Sequence, residues 1–535
     1  MFLDFDIAPR QQYAADVCII GAGAAGFACA VSLLGEGIKV LLLESGGKGD
    51  DARTAQLNVA DVVGGNHEGT HTARPRRIGG ATTKWGGQVY PFLEEDFSGL
   101  PEVNRKSWPI GYADIADYYP QAERILGTDT TTGYEKWPWE KEGFADLPLS
   151  TAAAELFVTK WTPQPNLHQL HIDKIAESVD VHLLSNATAV ECIPTTDRTA
   201  VDAVKVKSVR GHTALIRARY YVAAGGAFET IRLFLSSKRF GEEGMGNRQD
   251  LVGRYIQDHV SAVVGRIVPT SRAQFHKIFD PFYKNGFKYL PRIRMRPSAC
   301  QRAGILHASG QIMFDQPGDD PLSIIKGLYG NYRRDGEIKW ADILPVMNVQ
   351  SLKEFAIGAY RYNVQGRGPV NREGPIWLEI LSEQEPVWDS RVTLGETRDV
   401  MGMQGIKLNW EISDLTLRTI QKSARLIGGS IESEGIGRVY YENWLSEMDG
   451  RTWLKDAYHQ AGGLIMGADE KSGVVDAKSR VFGLDNMYVA SSAVFPSSSF
   501  SNITLTIVAL AIRTAERLVD RCKAQVPHTQ QWDAR

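Results

Sequence analysis

The chain has 535 residues, of which 43% are hydrophobic and 23% charged, with a formal net charge of −3. That length exceeds what one hydrophobic core organises, so two domains, or one large domain with an extensive insertion, are expected. The near-neutral balance and the lack of a basic block argue against nucleic acid as a partner. Cys18, Cys29, Cys192, Cys300 and Cys522 are scattered without a Cys-x-x-Cys pair, so neither a bound metal nor a disulfide framework is expected. The opening MFLDFDIAPRQQ carries acids where a secretory signal carries positive charge, and no apolar run is long enough to span a bilayer. The expectation is a cytoplasmic protein with no membrane segment.

The clearest element is DVCIIGAGAAGFACAVSLLGEGIKVLLLES, residues 16–45. A buried strand over 17–20 runs into Gly21, Gly23 and Gly26, a helix of small residues follows, and a second strand over 39–43 ends at Glu44. This is the order of a dinucleotide site. Gly21 permits the tight turn, Gly23 lets the backbone approach a pyrophosphate, and Gly26 lets helix and strand pack closely. The helix N-terminus offers N–H groups to the anion, and Glu44 can accept hydrogen bonds from a ribose. The motif alone leaves NAD and FAD open.

Residues 74–91, RPRRIGGATTKWGGQVYP, form a second glycine-rich loop in which Gly79, Gly80, Gly86 and Gly87 bracket Thr82, Thr83, Lys84 and Trp85. Paired glycines around hydroxyls suit a backbone wrapped closely on a flat or phosphorylated ligand. Residues 181–193 and 218–237 read as strands followed by a glycine turn and a helix, returning the chain to the first sheet. Two mixed segments, roughly 95–180 and 265–450, are rich in Trp, Tyr, Pro and charge, without repeats. The last organised stretch, 462–520, reads as a short strand over 487–490, a Ser/Pro-rich turn and a long helix beginning near Asn502 or Thr504.

With GAGAAG and Glu44, GGATTKWGG, VAAGGAFETIRLFL, LVGRYIQDHV, HQAGGLIMG and NMYVASSAVFPSSSFSNITLTIVALAIRTAERL in this order, the chain resembles the glucose-methanol-choline (GMC) oxidoreductases over nearly its full length. TTKWGGQVYPFLEEDF and WPIGYADIADYYPQAERILG resemble the family's sugar-directed branch, which includes pyranose oxidases, sugar dehydrogenase catalytic subunits, glycoside 3-oxidising enzymes and aminoglycoside alcohol oxidases. The resemblance implies an α/β fold: a Rossmann-like FAD-binding domain (GMC / p-hydroxybenzoate hydroxylase-like) with a substrate domain whose antiparallel sheet roofs the flavin. The implied FAD-binding parts are 1–95, 181–265 and 453–520, the substrate parts 96–180 and 266–452, with a tail over 521–535.

The resemblance places the catalytic histidine at His459 and its partner at Asn502. Oxidising an alcohol moves a hydride to the flavin while the hydroxyl loses its proton; an imidazole titrating near neutrality can take that proton, and an amide N–H can hold the oxygen. The cofactor residues it implies are Gly21, Gly23, Ala24, Ala25, Gly26, Glu44, Ser45, Gly79, Gly80, Thr82, Thr83, Trp85, Gly86, Gly87, Ala189, Val190, Ala224, Gly225, Ser492, Asn502, Ile503 and Thr504. His259, in QDHV, matches a family feature without an assigned step. Pyranose oxidases carry a flavin-linking histidine in the second glycine loop where this chain has Thr82, Thr83, Lys84 and Trp85, so FAD is expected to be noncovalent.

Asn186 and Asn502 match glycosylation sequons, which the cytoplasmic reading leaves unmodified. Tyr329, Tyr332, Tyr360, Tyr362, Trp377 and Trp388 offer rings that could stack on a sugar, although aromatic residues mostly build cores. The expected substrate is an alcohol of the carbohydrate or glycoside class; the acceptor is oxygen, a quinone or a redox protein; and a homo-oligomer or a small partner subunit is compatible. Rival readings are a non-sugar alcohol, a lyase that uses flavin as scaffold, and a flavin-binding partner subunit without activity.

Overall fold

The computed structural model describes residues 1–134, 136–315, 356–447 and 449–524. Tyr329, Tyr332 and the tail beyond 524 lie outside them. The strand that enters the glycine turn is Gln12–Ile20, longer than its apolar end alone indicates, because parallel pairing with Thr213–Ala223 runs back as far as Gln12. Its last four residues are buried, as a strand covered on both faces requires. On its other side follow Val40–Leu43, Val181–Ser185 and Phe2–Asp4, all parallel. Met487–Val489 adds a further parallel partner to Thr213–Ala223, while Val201–Lys207 and Thr188–Pro194 extend the sheet as an antiparallel ribbon. This sheet draws on three widely separated stretches of chain.

The helix Ala24–Ser32 leaves the first strand through the glycine turn and packs against the carboxy-terminal helix Thr504–Ala524. Small residues let the two approach closely enough for the Cys29 thiol to reach the Ala511 carbonyl at 3.3 Å. Leu505, Val508, Ala509, Ile512, Ala515 and Leu518 recur at helical spacing on the buried side of the long helix.

A second, antiparallel sheet runs Gly437–Tyr441, Val260–Pro269, Ile376–Ser382, Ala308–Phe314, Phe287–Met295, Ala154–Trp161 and Gln88–Val89. The helix Asp414–Ser433, capped by the Ser413 hydroxyl on the Thr416 N–H, covers one face; a Cβ on Gly310 would lie 3.3 Å from Ile427 of that helix. Cross-strand register puts Arg292, Gln311 and Glu379 in one row on the opposite face. A small third sheet joins Arg391–Arg398, Gln404–Trp410 and Ala60–Gly64. Arg232, on the helix Gly226–Ser236, ties the first sheet to it: its guanidinium meets Asp399 at 2.7 Å, the Gln404 carbonyl at 2.7 Å and the Leu57 carbonyl at 2.8 Å.

The glycine turn separates packing from open space. A Cβ on Gly26 would lie 1.8 Å from the Gly21 carbonyl oxygen, and one on Gly21, at φ +110°, would lie 2.7 Å from the Ala224 carbonyl oxygen. A Cβ on Gly23 would meet nothing within 4 Å. Gly26→Ala is therefore expected to destabilise the chain by about 1–3 kcal/mol through overpacking, with Gly23→Ala close to neutral. Denaturant midpoints of the two variants check this; equal midpoints would contradict it.

Candidate active site

A cavity of about 720 Å³ opens at the carboxyl ends of the parallel strands, where the glycine turn begins the first helix. Gly21, Gly23, Ala24 and Ala25 form one wall, and Glu44 and Ser45 lie beside them at the end of Val40–Leu43. Glu44 is buried and accepts from the Ala22 N–H at 3.1 Å and the Gly46 N–H at 2.9 Å. Burial raises its carboxyl above the usual range despite these bonds and the nearby Arg76. Gly26 is not part of the wall; it packs the helix on the turn. Ala189 reaches the cavity, whereas the Val190 side chain turns to the other face of its strand and packs with Leu57, Met401 and Met403.

The second glycine loop is tied to the first by the Gly79 N–H on the Ala22 carbonyl at 2.9 Å. Gly80, Thr82, Trp85, Gly86 and Gly87 line the cavity. Gly79 and Thr83 do not: Gly79 makes the left-handed turn that starts the loop, and the Thr83 hydroxyl folds back on the Gly80 carbonyl at 2.8 Å. Lys84 also borders the cavity, and its ammonium pairs with Asp50 at 2.9 Å.

Arg74 and Arg76 also form the wall. Both grip Glu229, at 2.7 Å and 2.5 Å. Burial alone would raise the Glu229 carboxyl, but the guanidiniums of Arg76, Arg232 and Arg74 overcome it and hold it at about 2. The RPRR run was the available sequence signal for these cations; their acidic partner lies 155 residues from Arg74. Ala224 and Gly225 close this end at the start of the Gly226–Ser236 helix.

At the opposite end the cavity reaches His459, Ser492, Asn502, Ile503 and Thr504. Thr504 begins the long helix, whose first N–H groups face this region. Asn502 is 8% exposed, and its Oδ1 is buried without a partner. Ser492 supports the neighbouring turn through its hydroxyl on the Gln460 carbonyl at 2.6 Å. Tyr360, Tyr362, Trp377 and Trp388 lie outside the cavity wall.

His459 sits on a turn held from behind by one carboxylate. Asp258 Oδ1 accepts from the His459 N–H at 2.8 Å and the Ala457 N–H at 3.2 Å, which keeps Tyr458 between them at φ +62°. The other oxygen of Asp258 lies 3.2 Å from Nε2 of His67, whose Nδ1 accepts from the Thr70 N–H at 3.1 Å. Asp456 accepts from the backbone N–H groups of Glu68 and Gly69, both at 2.8 Å. His67, Asp258 and Asp456 thus form a buried cluster behind the turn, with His67 within ion-pair distance of both carboxylates, at 3.2 Å and 3.7 Å. The His459 ring meets His259, Nδ1 to Nδ1, at 2.9 Å. Burial first, and then the His259 ring and the Arg292 charge, hold the His459 imidazole far below its usual range, at about 3, against the opposing pull of Asp258.

An FAD binding domain model matches residues 14–262 and a GMC oxidoreductase model residues 386–511. Paromamine 6′-oxidase of Streptomyces fradiae is 25% identical, with 96% of this chain and 93% of that protein aligned. The fructose dehydrogenase large subunit of Gluconobacter japonicus is 22% identical over 96% of this chain and 99% of its own. Among solved structures, pyridoxine 4-oxidase from Mesorbium loti superposes with a TM-score of 0.55 at 16% identity, covering 94% of this chain and 99% of that one, a likeness of fold. The first match spans the glycine turn and the second spans His459 and Asn502, both walls of one cavity. With an FAD binding domain, a GMC oxidoreductase domain and oxidases and dehydrogenases aligned over nearly its whole length, the chain is an FAD-dependent alcohol oxidoreductase of GMC type.

Proposed function

We propose that this chain oxidises a hydroxyl group of a sugar, glycoside or related polyol to a carbonyl, with noncovalent FAD, His459 as base and Asn502 as its partner. The observation that carries the reading is the convergence of His459 and Asn502, 43 residues apart in sequence, on the cavity whose far wall is the dinucleotide turn. The residues fit FAD: Gly23 leaves open space beside a helix N-terminus, Arg74 and Arg76 supply positive charge, and Glu44 is a buried acceptor. Residues 1–95, 181–265 and 453–520 would form the part that holds it, and 96–180 with 266–452 the substrate part.

Bound FAD supplies the two-electron acceptor for the hydride leaving the carbinol carbon. The chain's own residues handle the proton and the oxygen. His459 accepts the hydroxyl proton from a neutral imidazole, and Asn502, whose amide oxygen lacks a protein partner, offers its N–H to the same oxygen. Together they orient the C–H bond and stabilise charge developing on oxygen in a site with little water.

The aligned relatives named for aminoglycoside and fructose chemistry support a polyhydroxylated substrate. Arg292, 2% exposed and bonded to Ser309 at 2.8 Å, lies outside the cavity wall, and its charge acts on His459 from behind. Noncovalent FAD is supported by Lys84, already paired with Asp50 at the loop position where a linking histidine stands in pyranose oxidases.

Anaerobic titration of the FAD-loaded protein with sugars, C-glycosides, aminoglycosides and aromatic alcohols tests the substrate class through loss of the oxidised-flavin band. Bleaching by aromatic alcohols alone would defeat the carbohydrate reading, and acid precipitation should release the FAD. His459→Ala should slow flavin reduction about 100- to 10,000-fold, and Asn502→Ala about 100- to 1,000-fold, with FAD retained in both.

The pH dependence has a definite sign. A base held at about 3 stays neutral at every pH above that, so acidification from about pH 8 to about pH 5 should not protonate His459 in the free enzyme. An ordinary imidazole would lose half its activity near pH 6.5. Stopped-flow flavin reduction against pH separates the two.

A further inference from the structure

His259 is fully buried immediately before the Val260–Pro269 strand, and the mechanism above gives it no step. Both of its ring nitrogens are engaged. Nε2 lies 3.1 Å from the Ser498 carbonyl oxygen, and Nδ1 lies 2.9 Å from Nδ1 of His459. A carbonyl oxygen can only accept, so Nε2 of His259 carries a hydrogen. Burial, with Arg292, holds His259 below its usual range against the opposing effects of the Ser498 carbonyl, Asp258 and Glu383, so the ring is neutral and has that one hydrogen. Its Nδ1 is then a bare acceptor.

The consequence passes to the next ring. With a lone pair on His259 Nδ1, Nδ1 of His459 must be the donor; the alternative sets two lone pairs against each other at 2.9 Å. A neutral His459 with its hydrogen on Nδ1 has its lone pair on Nε2. We propose that His259 is a positioning residue that locks His459 in the Nδ1–H tautomer, leaving Nε2 as the atom that takes the substrate proton. This rests on the reading of His459 as base.

The proton transfer balances simply. The substrate O–H bond breaks, an N–H bond forms at Nε2, and the pair left on oxygen becomes the second bond of the carbonyl as the neighbouring C–H pair departs as hydride to bound FAD. The imidazolium so formed still donates its Nδ1–H to His259, now through a charge-assisted bond. The groups facing the pair are Asp258, which favours the proton on both rings, Glu383, which favours it on His259, and Arg292, which opposes it on both.

The test has two parts. Nitrogen-15 NMR of histidine-labelled, FAD-loaded protein should show His459 with a protonated Nδ1 and a bare Nε2; the reverse pattern overturns the proposal without any assay. Next, His259→Asn keeps an acceptor near the Nδ1 position but loses the Ser498 bond, and His259→Leu loses both. A tautomer lock predicts that His259→Leu slows flavin reduction about 100-fold and that His259→Asn recovers to within about tenfold of the parent, both retaining FAD. Equal loss in both variants would assign His259 a merely structural role and overturn the proposal. Failure of the base reading looks different: His459→Ala would then reduce flavin at the parent rate whatever the tautomer.

Discussion

Asp258 is the point on which the site depends. Its carboxylate is removed from water, and it holds together parts of the chain that are remote in sequence: His67 from the segment before the second glycine loop, and the Ala457–His459 turn near the carboxy-terminal end. Burial alone would raise the Asp258 carboxyl, yet the His67 ring and its other partners keep it below the usual range. Removing one partner of a buried ion pair typically costs about 3–5 kcal/mol, because the other charge is left uncompensated. The same carboxylate that fixes the backbone of His459 thereby makes the turn geometrically unforgiving. A base that must meet a hydroxyl within hydrogen-bond reach gains from that rigidity.

Charge at the two ends of the cavity is organised oppositely. At the dinucleotide end, Arg74 and Arg76 converge on Glu229, so the cations are pinned in place and a surplus of positive charge faces the cavity. At the substrate end the imidazoles are kept neutral, and the guanidinium that acts on them, Arg292, bonds the Ser309 hydroxyl, with no ion pair to a carboxylate among the described residues. Fixed positive charge suits phosphates that never change charge during a reaction. Neutral, oriented groups suit a centre through which a proton passes.

How much of this was legible depended on whether the physical reason was local. The turn glycines and Glu44 could be placed from sequence because a tight turn, a close approach and a strand-end acid are properties of a few consecutive residues. Val190, Gly79 and Thr83 lie outside the cavity wall, because a strand turns alternate residues to opposite faces and because Gly79 and the Thr83 hydroxyl serve the turn of their own loop. Asp258, His67 and Arg292 could not be read as parts of the site, since their partners lie far along the chain, 201 residues away in the Asp258–His459 bond. His459 and Asn502 were found through family resemblance; composition and spacing alone would have left them ordinary.

A base held at about 3 looks too weak to deprotonate an alcohol, and toward a resting alcohol it is. The difficulty disappears when proton and hydride departures are considered together. As the C–H pair leaves, the oxygen becomes that of a protonated carbonyl, a strong acid that even a weak base relieves. What the imidazole must supply is therefore a lone pair on the correct nitrogen, at the correct place, never already occupied by a proton from solvent. Burial and the Arg292 charge meet the last condition, and the Asp258 clamp meets the requirement of place. Basicity is the property this site surrenders, because the reaction itself makes up for it.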